Sequence, residues 1–494
     1  MNKTRHTIHR KIIALGKKIS QSRIVDLHQS NHLEEHIIRT SLIDFDYSKQ
    51  RLNQEGLDYL LQIPDLINVK ESLTLLLNGD LINPSENTNV SHTFYRDKNL
   101  HTNFEIILSE RKKIKKFLQE KKTDRSIKNI ICLGIGGSRL GPELLHEYQA
   151  FEKNIEIHFC SSLDLFEIKD ALTQCSQKET IVIASSKSFE TKEILKNLDF
   201  VKTWFKSVSN INLENHLYGI SSNTSAMSSL GISEKNQFKV LESLGGRFSI
   251  WSAMSLPAFI NSDFDSYLEF LEGAKLADDH VLSSSWEKNI PVMMALLSIW
   301  NSNALNINNH GIFTYSFRLR SLTRYFSQLS MESNGKSINF KNEKSPFNTT
   351  QLIWGGYGIE AQHSTFQWLM QGKIESSCDF IGINDGKHES IDSHEMLLSQ
   401  VLAMTYGNPN IESPYKSVEG NIPSSIFQLS SLDLKSLGYL IAINEYKVFI
   451  ESLILGLDPF DQWGVQLGKK LALNSKNNKE FFTSYFSSEI LPKS

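Results

Sequence analysis

Glu332 stands near the end of QLSMESNGK (residues 328–336), where a helical pattern over 320–331 runs into Ser333-Asn334-Gly335. An Asn-Gly pair suits a helix C-terminus, because both residues tolerate the left-handed backbone that closes the last turn. A carboxylate held there can face a cleft and serve as a general base. Read alone, an ordinary surface Glu is the stronger reading.

Further stretches carry residue types that do chemistry. LGIGGSRLGP (133–142) follows an apolar run and opens a helix, so its glycines admit a ligand to the backbone and its free amides favour an anion. The dinucleotide fingerprint fails at Arg139 and the nucleophile elbow fails at Leu140. A tight strand-to-helix turn accounts for the stretch equally well. SSKSFETKE (185–193) has the same placement. Ser186, Ser188 and Thr191 put hydroxyls beside uncapped amides, which makes a phosphate cradle unless Ser188 merely caps the helix. Glu190 adds an awkward negative charge there.

GGRFSIWSAMSLP (245–257) presents Arg247 among small neighbours before a helix, suited to an oxyanion or phosphate, or to a surface ion pair. WGGYGIEAQHSTFQ (354–367) brings His363 to a predicted helix start, although a lone His is usually structural. DPFDQWGVQLGKKLA (458–472) carries Lys469. A Walker A loop is excluded there by Trp463 and Lys470, and an exposed helix Lys is the competing reading.

These residues need elements to hold them. Residues 1 to about 125 read as mostly helical. From residue 130, short apolar runs (130–133, 155–159, 180–184, 217–220) alternate with helical stretches (141–149, 165–172, 191–204). Buried strands separated by amphipathic helices predict an α/β domain on a parallel sheet, which binds ligands beyond the carboxyl ends of its strands. A second set follows, with strands at 312–317, 351–354 and 378–383 and helices at 363–371 and 394–405, then helices at 434–457 and 461–473. Two α/β domains with a cleft between them are predicted.

Composition bounds the alternatives. The 494 residues are 40% hydrophobic and 22% charged, with a formal net charge of -3, as in an ordinary globular protein without a nucleic-acid face. Cys132, Cys160, Cys175 and Cys378 form no ligand pair, and free thiols in a reducing compartment are expected. His28, His32 and His36 recur every four residues, but no ligand set is completed and no metal is predicted. The run at 291–300 is too short for a membrane span, and that at 440–457 is broken by Asn444, Glu445, Lys447 and Glu451. The basic N-terminus reads as a solvated helix, and a cytoplasmic protein is expected.

In their order and wording, IGGS with LGP, SKS with F and T, GGRFSIWSA, QLSMESNGK, a glycine loop ending in QH, and FDQWGVQLGKKLA resemble the glucose-6-phosphate isomerase family. The resemblance runs from about residue 83 onward. Residues 85–96 are similar to the family's N-terminal signature only in Glu86-Asn87, His92-Thr93 and Arg96.

After the mainly helical segment (1–125), the resemblance implies two sugar-isomerase-type (SIS) three-layer αβα domains (126–290, and 291–494 with C-terminal helices). It implies a homodimer that interconverts glucose 6-phosphate and fructose 6-phosphate without metal or cofactor. By motif, Glu332 matches the base that moves a proton between C2 and C1 through a cis-enediol, and Arg247 the residue that stabilises the enediolate. His363, reaching the site from the partner subunit, and Lys469 match the ring-opening residues. Ser186, Lys187, Ser188 and Thr191 match the phosphate loop, while Gly137, Ser138, Gly246, Gln328 and Gln462 match other substrate contacts.

Departures are Glu190 where the family usually has Thr, an altered loop over 356–361, and Tyr446 in place of a His between Glu445 and Lys447. A sugar-phosphate-binding regulator that lost catalysis is the alternative, and the presence of Glu332, His363 and Lys469 argues against it. Side activity on another phosphosugar, such as mannose 6-phosphate, stays open.

Overall fold

The computed structural model of the chain describes residues 2–27, 34–97, 105–149, 154–408 and 412–474. Strands β1 (Ile37–Arg39), β2 (Ile43–Lys49) and the short hairpin β3 (Ile82–Asn83) and β4 (Thr88–Asn89) come first. The first large sheet then uses β5 (Asn129–Leu133), β6 (Glu156–Cys160), β7 (Thr180–Ser185), β8 (Leu217–Ser221) and β9 (Gln237–Lys239). They are parallel throughout, in the order β6-β5-β7-β8-β9. Helices cover both faces, so β7 is buried along its whole length and reads as one apolar run.

The second sheet repeats this winding. β10 (Asn309–Thr314), β11 (Leu352–Tyr357), β12 (Ser377–Ile383) and β13 (Ser424–Leu429) run parallel in the order β11-β10-β12-β13. β2 then pairs antiparallel with β13, and β1 with β2. The N-terminal segment is therefore not only helical. Ile43, Phe45 and Tyr47 alternate with Asp44, Asp46 and Ser48, which is the period of a half-buried strand, and the three apolar side chains enter the core. β9 and β13 also go beyond the strands expected from the sequence.

The helix Leu434–Leu455 packs against the helices Phe264–Ser283, Ile290–Ile299 and Leu322–Asn334 and is buried along nearly all of its length. The charges that break its apolar run are paired rather than solvated: Glu445 meets Arg96, and Lys447 lies 3.7 Å from Glu451. Cys132, Cys160 and Cys378 are buried free thiols, and Cys175 is half-buried. Among the described residues, no helix is long and apolar enough to cross a membrane. His28 and His32 lie outside the described residues, whereas the His36 ring packs edge-on against Tyr47.

Candidate active site

The helix Leu322–Asn334 buries Leu322, Tyr325, Phe326 and Leu329, an apolar stripe at helical spacing. Gln328 and Glu332 share another face, one turn apart. The Gln328 amide Nε2 donates to Glu332 Oε2 at 2.9 Å, and the helix closes where the Gly335 N–H donates to the Met331 carbonyl at 2.9 Å. Glu332 thus ends the helix with its carboxylate oriented and its side chain 26% exposed.

Arg247 approaches from the side of the first sheet, on the 3-10 turn Gly246–Trp251 that follows β9. Its side chain is 1% exposed, and Nη1 lies 3.7 Å from Glu332 Oε1. Every nitrogen is engaged. Nε donates to Ser333 Oγ at 2.7 Å, Nη1 to Gln462 Oε1 at 2.9 Å, and Nη2 to the carbonyls of Asp461 at 3.0 Å and of Pro459. Tyr325 Oη donates to the Arg247 carbonyl at 3.2 Å. Burial pulls the guanidinium pKa down, with Glu332 and Asp461 opposing the shift, and the group keeps its charge in a dry setting.

Both candidate anion loops of the first sheet leave adjacent strands, β5 and β7, at the point where the strand order reverses. This is where open α/β sheets bind ligands. Gly137 abuts the Arg247 turn so closely that a Cβ there would lie 1.9 Å from the Gly246 carbonyl oxygen. Gly136 has φ +59°, and a Cβ on it would be 3.1 Å from Gln328 Nε2. Ser138, next along, reaches Met254 with its hydroxyl. The glycines therefore allow the loop after β5 to touch both the Arg247 turn and the Glu332 helix.

The second loop is locked by its own backbone. Ser186 Oγ accepts from the Phe189 N–H at 3.0 Å, and Phe189 adopts φ +56° with its ring buried. The Lys187 carbonyl accepts from Ser221 Oγ at 2.8 Å and Ser222 Oγ at 2.9 Å. Ser188 accepts from the Glu190 N–H at 3.4 Å, and Glu190 itself is exposed. The N-cap of the helix Lys192–Lys206 is Thr191, whose side chain makes no capping bond. The Ile194 N–H bonds back to the Thr191 carbonyl at 3.1 Å, which leaves the Lys192 and Glu193 amides at the helix start for an anion. Lys187, Glu86, His92, Gly246 and Gln462 line one small cavity, which ties this loop to the Arg247 turn.

His363 and Lys469 stand apart from this cluster. His363 does not open a helix: it caps the C-terminal end of the short helix Gly358–Gln362, its N–H donating to the Glu360 carbonyl at 3.1 Å. Ser364 folds back to bond the same carbonyl, so the helical run breaks before Phe366–Gln371. The expected approach of the ring to a helix N-terminus is absent. Both His363 and Lys469, on the helix Gln466–Asn474, are exposed. Among the described residues, no hydrogen bond or ion pair joins either to Glu332 or Arg247. Nor does any group of three or more His, Cys, Asp or Glu there suit a metal ion.

A family profile described as phosphoglucose isomerase matches residues 46–488. The chain belongs to the phosphoglucose isomerase family. It is 33% identical to a glucose-6-phosphate isomerase of Acinetobacter baumannii, over 93% of this chain and 90% of that one. It is 33% identical to that of Hydrogenovibrio crunogenus, over 91% and 90%. The crystal structure of a glucose-6-phosphate isomerase from Chlamydia trachomatis superposes with a TM-score of 0.87 at 26% identity, covering 96% of each chain.

The phosphoglucose isomerase fold here also gives buried structural roles to residues to which the sequence assigned none. Beneath the Arg247 turn, Arg96 bonds Asp278 at 2.6 Å and Glu445, and its guanidinium stacks 4.5 Å over Trp251. Trp251 Nε1 donates to Glu445 at 3.0 Å, and Tyr446 Oη donates to Asp278 at 2.6 Å. Tyr446, the departure from the family's His, is thus accommodated as a neutral donor in a buried ionic network. Removing one partner from such a network costs about 3–5 kcal/mol. His92 stacks on Phe248 at 4.7 Å, and burial, with Arg96 nearby, pushes its pKa well down. Lys336 and Asp461, paired at 2.8 Å, lie inside the stretches that carry the resemblance, where no local pattern marks either.

Proposed function

We propose that the chain interconverts glucose 6-phosphate and fructose 6-phosphate, in glycolysis and gluconeogenesis. The observation that carries this reading is the Glu332–Arg247 pair, 3.7 Å apart and flanked by the two anion loops of the first sheet. Glu332 takes the proton from C2 of the open-chain aldose and returns it to C1 of the cis-enediol. Arg247 stabilises the negative charge that develops on the enediolate oxygens in a site shielded from water. The reaction is internal to the sugar, so electrons and protons balance without a co-substrate.

Ser186, Lys187, Ser188 and Thr191 hold the phosphate, and Gly137, Ser138, Gly246, Gln328 and Gln462 hold the sugar. The phosphate grip, remote from the reacting carbons, supplies positioning energy. Lys469 and His363 act on ring opening, His363 contributed by the second subunit of a homodimer. Its exposure at the junction of two short helices is compatible with reaching another copy. The unit boundaries fall near 125 and 290, and the protein works in the cytoplasm.

A coupled assay with fructose 6-phosphate tests the reading. Glu332→Gln removes the base with little change in shape, and kcat falls by about 10²–10⁴-fold with KM little changed. Wild-type inactivity, or an equally active variant, would sink the mechanism.

A further inference from the structure

Residues 458–462 are gripped by two cations that divide their oxygens between them. Arg247 takes the backbone carbonyls of Pro459 and Asp461 and the side-chain oxygen of Gln462. Lys336, four residues after Glu332 and just past the helix end, takes the carboxylate of Asp461 at 2.8 Å and the carbonyl of Asp458. Lys336 and Asp461 are largely buried, with side chains 18% and 11% exposed. Asp458 folds its own carboxylate back onto the Phe460 N–H at 2.9 Å.

The division matters because Asp461 already touches Arg247 through its backbone. Its carboxylate sits on the same short segment whose carbonyls the guanidinium binds. Held by Lys336, it makes no ion pair with Arg247, and among the described residues Glu332 is the carboxylate within ion-pair distance of the guanidinium. A buried charge acts strongly on its surroundings only while it is not neutralised by a closer partner.

We propose that Lys336 is a positioning residue that keeps the Asp461 carboxylate off Arg247, so that the guanidinium's charge is directed at the reacting carbons beside Glu332. This rests on the reading of Arg247 as the cation facing the enediolate.

The test compares Lys336→Met, Lys336→Arg and the double variant K336M/D461N in the full chain. Lys336→Met lowers kcat by about 10²-fold, the scale of a misplaced catalytic group, while KM moves less than about threefold. Lys336→Arg recovers most of the loss. The double variant, which removes the carboxylate as well as the lysine, also recovers most of it, a result that loss of a merely structural tether would not give. Binding is read alongside. A phosphosugar hydroxamate that mimics the enediolate loses affinity for Lys336→Met, whereas a phosphorylated polyol of equal length does not.

Failure of both rescues, or a Lys336→Met enzyme of wild-type kcat, overturns the proposal. If Lys336→Met does not fold, the double variant decides: kcat within about tenfold of wild type supports the proposal, and a loss of about 10²-fold or more refutes it. An inactive wild type would instead strike the reading of Arg247, and the ligand-binding arm would still report on Lys336.

Discussion

Glu332 and Arg247 are held in one way, and His363 and Lys469 in another. The first two are fixed by partners from several elements: Gln328 one turn earlier, Ser333 next door, and carbonyls from a segment more than 200 residues after Arg247. The second two lie exposed, one at the end of a single-turn helix and one on the helix Gln466–Asn474. Each member of the first pair has its side chain oriented before any ligand arrives, which is how a preorganised charge stabilises a transition state. The second pair has no partner in this cluster, and on the proposed function a second copy of the chain sets the geometry of His363.

The contrast is sharpest at Arg247. Lysine at this position offers donors from one nitrogen and cannot serve Ser333, Gln462 and two carbonyls together. Arg247→Lys therefore lowers kcat by about 10²–10³-fold and also lowers the melting temperature. A variant with unchanged kcat would show that the preassembled geometry is not used.

His363→Ala lowers kcat by about 10²-fold and leaves the melting temperature unchanged, since an exposed side chain contributes little to stability. Mixing denatured His363→Ala with denatured Glu332→Gln and refolding them together yields activity that neither parent has. Each mixed dimer then contains one site with both groups intact. No recovery in mixtures proved to contain mixed dimers would place His363 in the same chain as its Glu332.

A test of another kind, on stability rather than rate, concerns the support of the Arg247 turn. Glu110 is fully buried and accepts the Ala253 N–H, and burial raises its pKa from 4.5 to about 8. The folded protein therefore retains a proton that the unfolded chain releases above 4.5. The resulting stability is fully present below that value and is lost as pH rises towards about 8, by up to about 1.4 kcal/mol per pH unit within the window. Glu110→Gln keeps a neutral side chain, so its denaturation midpoint falls less than that of wild type between pH 5 and 8.5. Parallel pH dependences in the two proteins would remove Glu110 from the account.

Much of the fold was legible where burial is two-sided. Ile130 to Leu133 and Ile181 to Ala184 form apolar runs because helices cover both faces of the sheet, and such runs stand out in a sequence. β2 was legible in principle from the alternation of Ile43, Phe45 and Tyr47, but it sits among helices and pairs with β13, some 380 residues away. β13 itself lies in a Pro- and Ser-containing stretch that masks its pattern. At His363, the end of one short helix and the start of the next leave the same local signature, and the bond from Ser364 back to the Glu360 carbonyl decided between them.

The sequence by itself determined which groups are present and in what local settings: a carboxylate at a helix end, hydroxyls before a helix, and an arginine after paired glycines. These follow from backbone preferences acting over a few residues. Only the tertiary structure decided that Arg247 faces Glu332, that Gly137 must lack a side chain to let Gly246 approach, and that Lys336 holds Asp461. Those contacts join segments separated by tens to hundreds of residues. Burial in a shared cleft then selects among pairings that the local chain leaves open.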